Sequence, residues 1–183
     1  LLGGGTTLIG DPSGKDTTRK ILEKKEIKKN IESIKKVFKK ILNTSNKKTK
    51  PIFVDNAKWL TELKYIQFLR EIGIHFTINK MLTFDSVKLR LEREQSLSYM
   101  EFNYMILQAY DFLELNKNKN CVMQIGGSDQ WGNIVNGVEL IKRFSSKQSY
   151  GLTTPLITLA SGAKMGKTEK GAVWLDKALL SPY

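Results

Sequence analysis

The chain has 183 residues, of which 40% are hydrophobic and 9% aromatic, so it can bury a core and is not disordered throughout. Its apolar runs are too short for a membrane-spanning helix, its first residues lack the features of a signal peptide, and its one cysteine excludes an internal disulfide, so we expect a protein of a reducing compartment without membrane contact. The formal net charge of +12 is concentrated, because residues 15–50 hold 14 basic and 4 acidic side chains (+10) and the rest of the chain holds 16 and 14 (+2).

The N-terminal part of the chain predicts a strand end and a long basic helix. Leu1-Leu2 is typical of the end of a buried strand, and Gly3-Gly4-Gly5 of the turn after it. Residues 17–42 have isoleucine or phenylalanine mostly at spacings of three and four, which predicts an amphipathic helix with lysines on its other faces. This basic segment either steers a polyanion towards the protein or is a solvated helix of a lysine-rich chain, and charge alone leaves both interpretations open.

Strands and helices alternate in the rest of the chain. We predict strands at 51–54, 121–125 and 152–159, and helices around 59–72, around 84–94, around 99–115 and from an N-cap at Ser128 to about Phe144. This alternation favours an α/β fold with a parallel sheet.

Two glycine-flanked loops carry lysines, at Gly10–Lys15 and Gly162–Thr168. Neither is a P-loop, because each has three residues between its glycines where the P-loop has four, and Lys15 is followed by Asp16 rather than Ser or Thr. Each loop can contact phosphate, and each can equally be a plain surface turn.

The segment Gly126–Gln130 follows a predicted strand and opens a predicted helix. Ligands of α/β proteins bind at the carboxyl ends of strands, where paired glycines allow close approach and a helix N-terminus offers unpaired N–H groups. Asp129 can accept hydrogen bonds from ribose hydroxyls. The alternative is a tight strand–helix turn in which Asp129 stabilises the helix dipole.

Tyr104, Gln108 and Asp111 stand at i, i+4 and i+7, which places them within about 60° of one another on one helix face. Their neighbours are mostly apolar, so these polar side chains need partners if they are buried. They can satisfy one another, or they can recognise a small polar molecule that has both donors and acceptors.

His75 and Cys121 receive no role. The chain has one histidine and one cysteine, so they offer no metal cluster, and we predict no metal bound by protein side chains. Cys121 is expected to be a small buried hydrophobic residue in its strand.

The chain resembles the bacterial-type tyrosyl-tRNA synthetases, which are class I aminoacyl-tRNA synthetases, in four stretches: GGGTTLIGDPSGK at 3–15, SYMEFNYMILQAYDF at 98–112, QIGGSDQWGNI at 124–134 and KMGKTEKGAVWLD at 164–176. The stretches occur in the family's order and are distributed from residue 3 to residue 176, so the resemblance extends over most of the chain. The resemblance implies a Rossmann-like parallel sheet flanked by helices, with a helical insertion at about 60–118, in a catalytic domain that covers 1–183. It also implies an enzyme that activates L-tyrosine with ATP and loads it onto tRNA.

The resemblance assigns a tyrosine pocket. Asp11, Tyr104 and Gln108 would hold the substrate ammonium, and Asp111 would accept the hydrogen bond of the phenol hydroxyl. Gln130 would help to position the substrate carboxylate, with Gln124 nearby.

The resemblance also assigns the ATP contacts. Gly127 and Asp129 would bind the adenosine ribose. The loop KMGKT matches the second class I signature, so that Lys164 and Lys167 would meet the pyrophosphate, with Thr168 assisting. ATP would enter with Mg²⁺.

The family pattern extends beyond this chain at both ends. Its first signature, HIGH, would precede Gly3, and its anticodon-reading region would follow Tyr183, so we expect a catalytic-domain fragment that is nearly inactive alone. The resemblance further implies a homodimer, in a bacterial cytoplasm or an organellar matrix. The alternative from a different class is a nucleotide- or RNA-binding module of the same fold that does not aminoacylate.

Overall fold

The computed structural model describes residues 1–10, 22–42, 45–158, 165, 174–175 and 181. The helices in these ranges are α1 Lys24–Ile41, α2 Ala57–Leu60, α3 Tyr65–Glu71, α4 Ile78–Met81, α5 Asp85–Glu92, α6 Tyr99–Lys119 and α7 Trp131–Ser145. The strands are β1 Met123–Gly127 and β2 Tyr150–Thr154, and short 3-10 turns lie at Thr6–Leu8, Gly73–His75 and Ser128–Gln130. No helix in the described part of the chain is long and apolar enough to cross a membrane.

The two strands pair in parallel, from Met123 opposite Tyr150 to Gly127 opposite Thr154. Helix α7 connects them and packs against both. Leu2 and Asp55 form a further parallel bridge near the start of the chain. The predicted α/β arrangement with a parallel sheet is therefore confirmed.

Helix α6 is fixed at both ends by its own sequence. At the N-terminus the Ser98 Oγ accepts a hydrogen bond from the Glu101 N–H at 3.2 Å, and the Glu101 carboxylate accepts one from the Ser98 N–H at 3.0 Å. Glu101 also forms a buried ion pair with Arg90 of α5 at 3.1 Å. Burial raises the pKa of Glu101, but the hydrogen bonds from Ser98 and Arg90 outweigh it and the pKa is lowered overall. Asn120, in the left-handed conformation at φ 51°, ends the helix.

Several predicted elements differ from the structure. Residues 51–54 are not a strand: Ile52 is 71% exposed, and among the described residues the pairing of this segment is limited to the bridge between Leu2 and Asp55. The helix predicted at 59–72 is two short helices, and between them the Thr61 hydroxyl bonds the Ala57 carbonyl at 2.7 Å, a bond that competes with the helical pattern.

The predicted ends of both strands of the sheet were also wrong by a few residues. The second predicted strand, 121–125, is observed at Met123–Gly127, and the third, 152–159, at Tyr150–Thr154. Ser128 does not cap α7, because a 3-10 turn comes first and the helix begins at Trp131 with Gln130 as its N-cap. The basic helix predicted at 17–42 is observed from Lys24 to Ile41, and residues 17–21 lie outside the described residues.

The main core lies where α6 packs against α7. Its buried residues are Ile72, Met81, Val87, Met105, Ile106, Ala109, Phe112, Leu113, Leu140 and Ile141. The two helices approach closely at Gly137, where an added Cβ would lie 2.9 Å from Cδ1 and 3.1 Å from Cβ of Phe112. Because Phe112 follows Asp111, this contact also fixes the helix face on which Asp111 stands.

We therefore expect Gly137→Ala to destabilise the fold. Overpacking costs about 1–3 kcal/mol, and the better helix propensity of alanine offsets at most about 1 kcal/mol of it. Urea unfolding of the full-length protein measures the change. The matched control is Gly73→Ala, whose added Cβ would meet only Leu69 side-chain atoms, at 3.4 and 3.8 Å. Equal stabilities of the two variants would show that the close contact between α6 and α7 is not a constraint.

Candidate active site

A cavity of about 390 Å³ lies between the start of the chain, α6 and β1. Its lining residues are Leu1, Gly3, Thr6, Asn56, Tyr104, Gln108, Asp111, Phe112, Leu115, Cys121, Met123, Gln124 and Ile125. The cavity therefore has apolar side chains on much of its wall and a few polar groups, as small-molecule sites have.

The three polar residues predicted to share one face of α6 all line this cavity. Asp111 is 2% exposed, Tyr104 is buried and Gln108 is half-buried. Gln124 of β1 also lines the cavity, and its Oε1 is buried with no hydrogen-bond partner among the described residues. A buried amide oxygen without a donor is costly, so this wall is suited to a ligand that carries an N–H or O–H group.

The Asp111 carboxylate is held by two donors from outside its helix. The Asn56 Nδ2 donates to Oδ2 at 2.7 Å, and the Trp59 Nε1 donates to Oδ1 at 2.7 Å. Each carboxylate oxygen has two lone pairs, so one acceptor position remains on each oxygen. The two donors fix the orientation of the carboxylate and leave it able to accept a further hydrogen bond.

Asn56 connects Asp111 to the N-terminal turn. Its Oδ1 accepts hydrogen bonds from the backbone N–H groups of Gly5 at 2.7 Å and Thr6 at 3.4 Å, and its Nδ2 donates to the Thr6 Oγ1 at 3.0 Å. Asn56 is 1% exposed, so a missing partner would leave a polar group buried without a hydrogen bond. This side chain thus joins the N-terminal turn to α6, and its partners Gly5 and Asp111 each lie more than fifty positions from it in sequence.

Sequence reasoning missed Asn56 and Trp59. One signal could have found Asn56: it follows the apolar run 51–54, and residues after a strand of a parallel sheet lie at the edge where ligands bind. Trp59 gave no such signal, because the turn of α2 is what brings its indole N–H to Asp111, and the sequence did not predict that turn.

Burial raises the pKa of the Asp111 carboxyl from its ordinary value of 3.8 to about 6, although the hydrogen bonds from Asn56 and Trp59 act in the opposite direction. The carboxyl is therefore mostly ionised at neutral pH, and its charge lies in a desolvated wall. Such a group interacts strongly with a donor that enters the cavity.

The predicted nucleotide-binding residues lie at the end of β1, next to a second cavity. This cavity, of about 350 Å³, is lined by Thr83, Phe84, Asp85, Ser86, Ser128, Asp129, Trp131, Gly132 and Asn133. An added Cβ at Gly127 would lie 2.8 Å from both the Asp129 Oδ1 and the Leu156 Cδ2, so the ends of these two side chains would have to move to accommodate it. The Gln130 Oε1 accepts a hydrogen bond from the Asn133 Nδ2 at 3.1 Å. None of these three predicted residues, Gly127, Asp129 and Gln130, lines the first cavity in the described part of the chain.

Four predicted site residues cannot be placed. Asp11, Lys164, Lys167 and Thr168 lie outside the described residues. Cys121 lines the first cavity ahead of β1 and is half-buried, which differs from its expected place inside the strand.

Comparisons with known proteins agree on one family. A family model described as tRNA synthetases class I (W and Y) matches residues 1–183. The tyrosine–tRNA ligase of Pelagibacter ubique (strain HTCC1062) is 74% identical over 183 residues, which are 100% of this chain and 45% of that protein. The tyrosine–tRNA ligase of Caulobacter vibrioides (strain NA1000 / CB15N) is 61% identical, over 100% of this chain and 44% of that protein. The chain thus spans less than half the length of these relatives.

Solved structures agree with the sequence relatives. A C-terminally truncated mitochondrial tyrosyl-tRNA synthetase of Aspergillus nidulans has a TM-score of 0.76 and 31% identity, over 98% of this chain and 54% of that chain. The corresponding truncated protein of Coccidioides posadasii has a TM-score of 0.75 and 30% identity, over 98% of this chain and 53% of that chain.

The raised pKa of Asp111 makes stability depend on pH. The folded protein keeps this proton up to about pH 6 and the unfolded chain loses it near 3.8, so the contribution of Asp111 to the free energy of unfolding falls as pH rises through this window. A pKa difference of one corresponds to about 1.4 kcal/mol, and the two values here differ by about two, so the expected fall over the whole window is about 3 kcal/mol. Urea unfolding of the full-length protein and of Asp111→Asn, each at pH 4 and pH 7, should show the stability advantage of Asp111 shrinking at pH 7. An advantage that is the same at both pH values would contradict the raised pKa.

Proposed function

The chain belongs to the class I tRNA synthetases of the W and Y type, and we propose that the full-length protein is a tyrosine–tRNA ligase. It activates L-tyrosine with ATP to tyrosyl-adenylate and then transfers the tyrosyl group to tRNA. The observation that carries the proposal is the desolvated Asp111 carboxylate, which shares one cavity wall with the Tyr104 phenol and the Gln108 amide. The relatives named tyrosine–tRNA ligase support the choice of amino acid.

Asp111 recognises the substrate hydroxyl. The carboxylate keeps an acceptor position on each oxygen after its bonds with Asn56 and Trp59. A phenol O–H that donates there forms a charge-assisted hydrogen bond in a dry site, which is among the stronger kinds. Phenylalanine offers no donor and leaves the buried charge without that partner.

The opposite end of the amino acid carries an ammonium group and a carboxylate. Tyr104 and Gln108 lie further along the same helix face and present oxygens to the ammonium, with Asp11 as the third ligand. Gln130 positions the carboxylate. The Oε1 of Gln124, which has no hydrogen-bond partner among the described residues, lies in the same cavity and accepts a hydrogen bond from a substrate N–H.

ATP binds at the end of β1. Asp129 and the backbone at Gly127 hold the ribose, and a Cβ at position 127 would displace the Asp129 carboxylate from its observed position. ATP enters with Mg²⁺ on its phosphates. Lys164 and Lys167, with Thr168, contact the pyrophosphate as it leaves.

The substrate carboxylate attacks the α-phosphate, so the reaction needs no protein nucleophile. Catalysis then comes from positioning of the two substrates and from electrostatic stabilisation of the charge that moves onto the pyrophosphate. Lysines on a loop suit this role, because their contact is made mainly in the transition state.

The proposal includes a homodimer in a bacterial cytoplasm or an organellar matrix. Helix α3 leaves Tyr65, Ile66 and Leu69 exposed, and the Tyr65 hydroxyl lies 3.2 Å from the hydroxyl of the exposed Tyr99. A second copy of the chain would cover this apolar surface.

Asp111→Ala in the full-length protein should reduce tyrosine use much more than phenylalanine use. The substitution removes the acceptor of the phenol O–H, whereas phenylalanine makes no such bond in either protein. An unpaired buried polar group costs about 1–3 kcal/mol and more when charged, so a loss of selectivity of at least about tenfold is expected.

The measurement is kcat/KM for each amino acid in ATP–pyrophosphate exchange. Glu114→Gln is the matched control, because it changes a half-buried carboxylate one turn further along the same helix, outside the lining of the cavity. If Asp111→Ala folds and keeps the tyrosine-to-phenylalanine ratio, Asp111 has only a structural role.

Lys167→Ala should lower the rate of tyrosyl-adenylate formation far more than it weakens tyrosine binding. A contact made only in the transition state lowers kcat and leaves the dissociation constant of the substrate nearly unchanged. Single-turnover kinetics give the rate, and equilibrium dialysis with tyrosine gives the binding. Lys147→Ala, at an exposed lysine after α7, is the control. A rate equal to that of the control would remove Lys167 from the catalytic residues.

A further inference from the structure

Helix α1, Lys24–Ile41, carries half of the net charge of the chain in 18 residues. It has eight lysines and two glutamates, a balance of +6 out of +12. At 100° per residue all eight lysines fall within an arc of about 160°. This helix has no part in the proposed tyrosine and ATP sites.

The lysines form two rows along the helix. One row is Lys24, Lys28, Lys35 and Lys39, and the other is Lys25, Lys29, Lys36 and Lys40. We call the second set the outer lysine row. It runs over about 22 Å, from 15 residues at 1.5 Å each. All four of its side chains are exposed.

The acidic residues of α1 leave the outer lysine row uncompensated. Glu26 accepts a hydrogen bond from the Glu23 N–H at the helix start, and Glu32 pairs with Lys35 at 2.8 Å in the other row. The bond and the charge of Lys35 lower the pKa of Glu32. In the described part of the chain, no acidic side chain forms an ion pair with a member of the outer lysine row.

The first half of the apolar face of α1 is attached to the domain, whereas Ile34, Phe38 and Ile41 in the second half are exposed. Ile27 and Ile31 are buried in a cluster with Leu2, and Leu8, Leu22 and Phe53 pack around it. With Lys24 set at 0° and 100° per residue, these two isoleucines centre at about 320° around the helix axis. The outer lysine row centres at about 130°, so the two sets lie on roughly opposite sides of the helix. The row therefore faces away from the domain, on a helix that the core holds in place.

The cluster also connects α1 to the candidate active site. Leu2 exchanges backbone hydrogen bonds with Val54 and Asn56, at 2.7 and 3.0 Å. Asn56 in turn donates to Asp111. A ligand held on α1 is thus bound to the same rigid unit as the substrate cavity.

We propose that the outer lysine row binds the phosphate backbone of the tRNA, which rests on the proposed function for its partner. Four ammonium groups that form no ion pair with the described residues, along one straight row, suit a polyanion, because each contact releases condensed counterions from the nucleic acid. Lysine acts there as a point charge, so the contact positions the tRNA and reads no sequence.

An anionic membrane surface is the less favoured partner. A basic amphipathic helix that binds a bilayer sinks its apolar face between the lipids. In α1 the first part of that face, Ile27 and Ile31, is already buried in the protein. The outer lysine row lies on the opposite side of the helix, which presents positive charge and no apolar surface to a partner.

The test replaces the outer lysine row in the full-length protein, as Lys25→Gln, Lys29→Gln, Lys36→Gln and Lys40→Gln together. Glutamine has a helix propensity close to that of lysine, and the four side chains are exposed, so the fold should be kept and circular dichroism verifies it. Binding of tyrosine-accepting tRNA is followed by fluorescence anisotropy over a series of KCl concentrations. We expect at least tenfold weaker binding at low salt, and a plot of log K against log salt that is shallower by about 0.7–0.9 per lost contact. Tyrosine-dependent pyrophosphate exchange without tRNA should be unchanged.

The matched control removes four exposed lysines elsewhere, with Lys64, Lys119, Lys142 and Lys147 changed to Gln. An unchanged affinity and salt slope in the α1 variant, or equal losses in both variants, would overturn the proposal. A loss of binding to vesicles of phosphatidylserine and phosphatidylcholine, with unchanged tRNA binding, would also overturn it and assign the row to a membrane. Failure of the proposed function is a separate result, since it appears as absent tyrosine-dependent exchange in the unsubstituted protein.

Discussion

A buried carboxylate sets the main constraint on this domain. Asp111 is ionised at neutral pH although burial raises its pKa to about 6, so the fold must supply donors to it. Asn56 and Trp59 do so, from a segment that follows the bridge between Leu2 and Asp55. Removing one such donor leaves a charge without compensation, which costs more than an ordinary contact. The N-terminal turn, α2 and α6 therefore have to meet at one point.

The surrounding structure holds α6 where Asp111 can meet its two donors, Asn56 and Trp59. The reciprocal bonds of Ser98 and Glu101 fix its first turn, and the buried ion pair with Arg90 holds that turn against α5. At its middle, Gly137 lets α7 approach the side chain of Phe112. Rigid placement of this kind suits a site that selects one amino acid by a single hydroxyl, since a loose carboxylate would accept water in place of the phenol.

Charge is used in two different ways in the molecule. In the cavity, under the proposed function, one desolvated carboxylate would act over a hydrogen-bond distance and provide specificity. On α1, under the proposal for the outer lysine row, several solvated lysines would act together on a polyanion and provide affinity that falls with salt. The two regions are joined by Leu2 and residues 53–56, which pack under α1 on one side and reach Asp111 through Asn56 on the other.

Local sequence determined much of this protein. The spacing of Tyr104, Gln108 and Asp111 placed them on one helix face, apolar periodicity predicted α1, and the alternation of strands and helices predicted the parallel sheet, because each of these depends on backbone geometry within a few residues. The motif resemblance supplied the family. Only the tertiary structure decided that Asn56 and Trp59 hold Asp111, that 51–54 is not a strand and that the 59–72 helix is broken. These features depend on which distant segment covers or bonds a residue, and a donor that meets its acceptor across more than fifty positions leaves no periodic trace in the sequence.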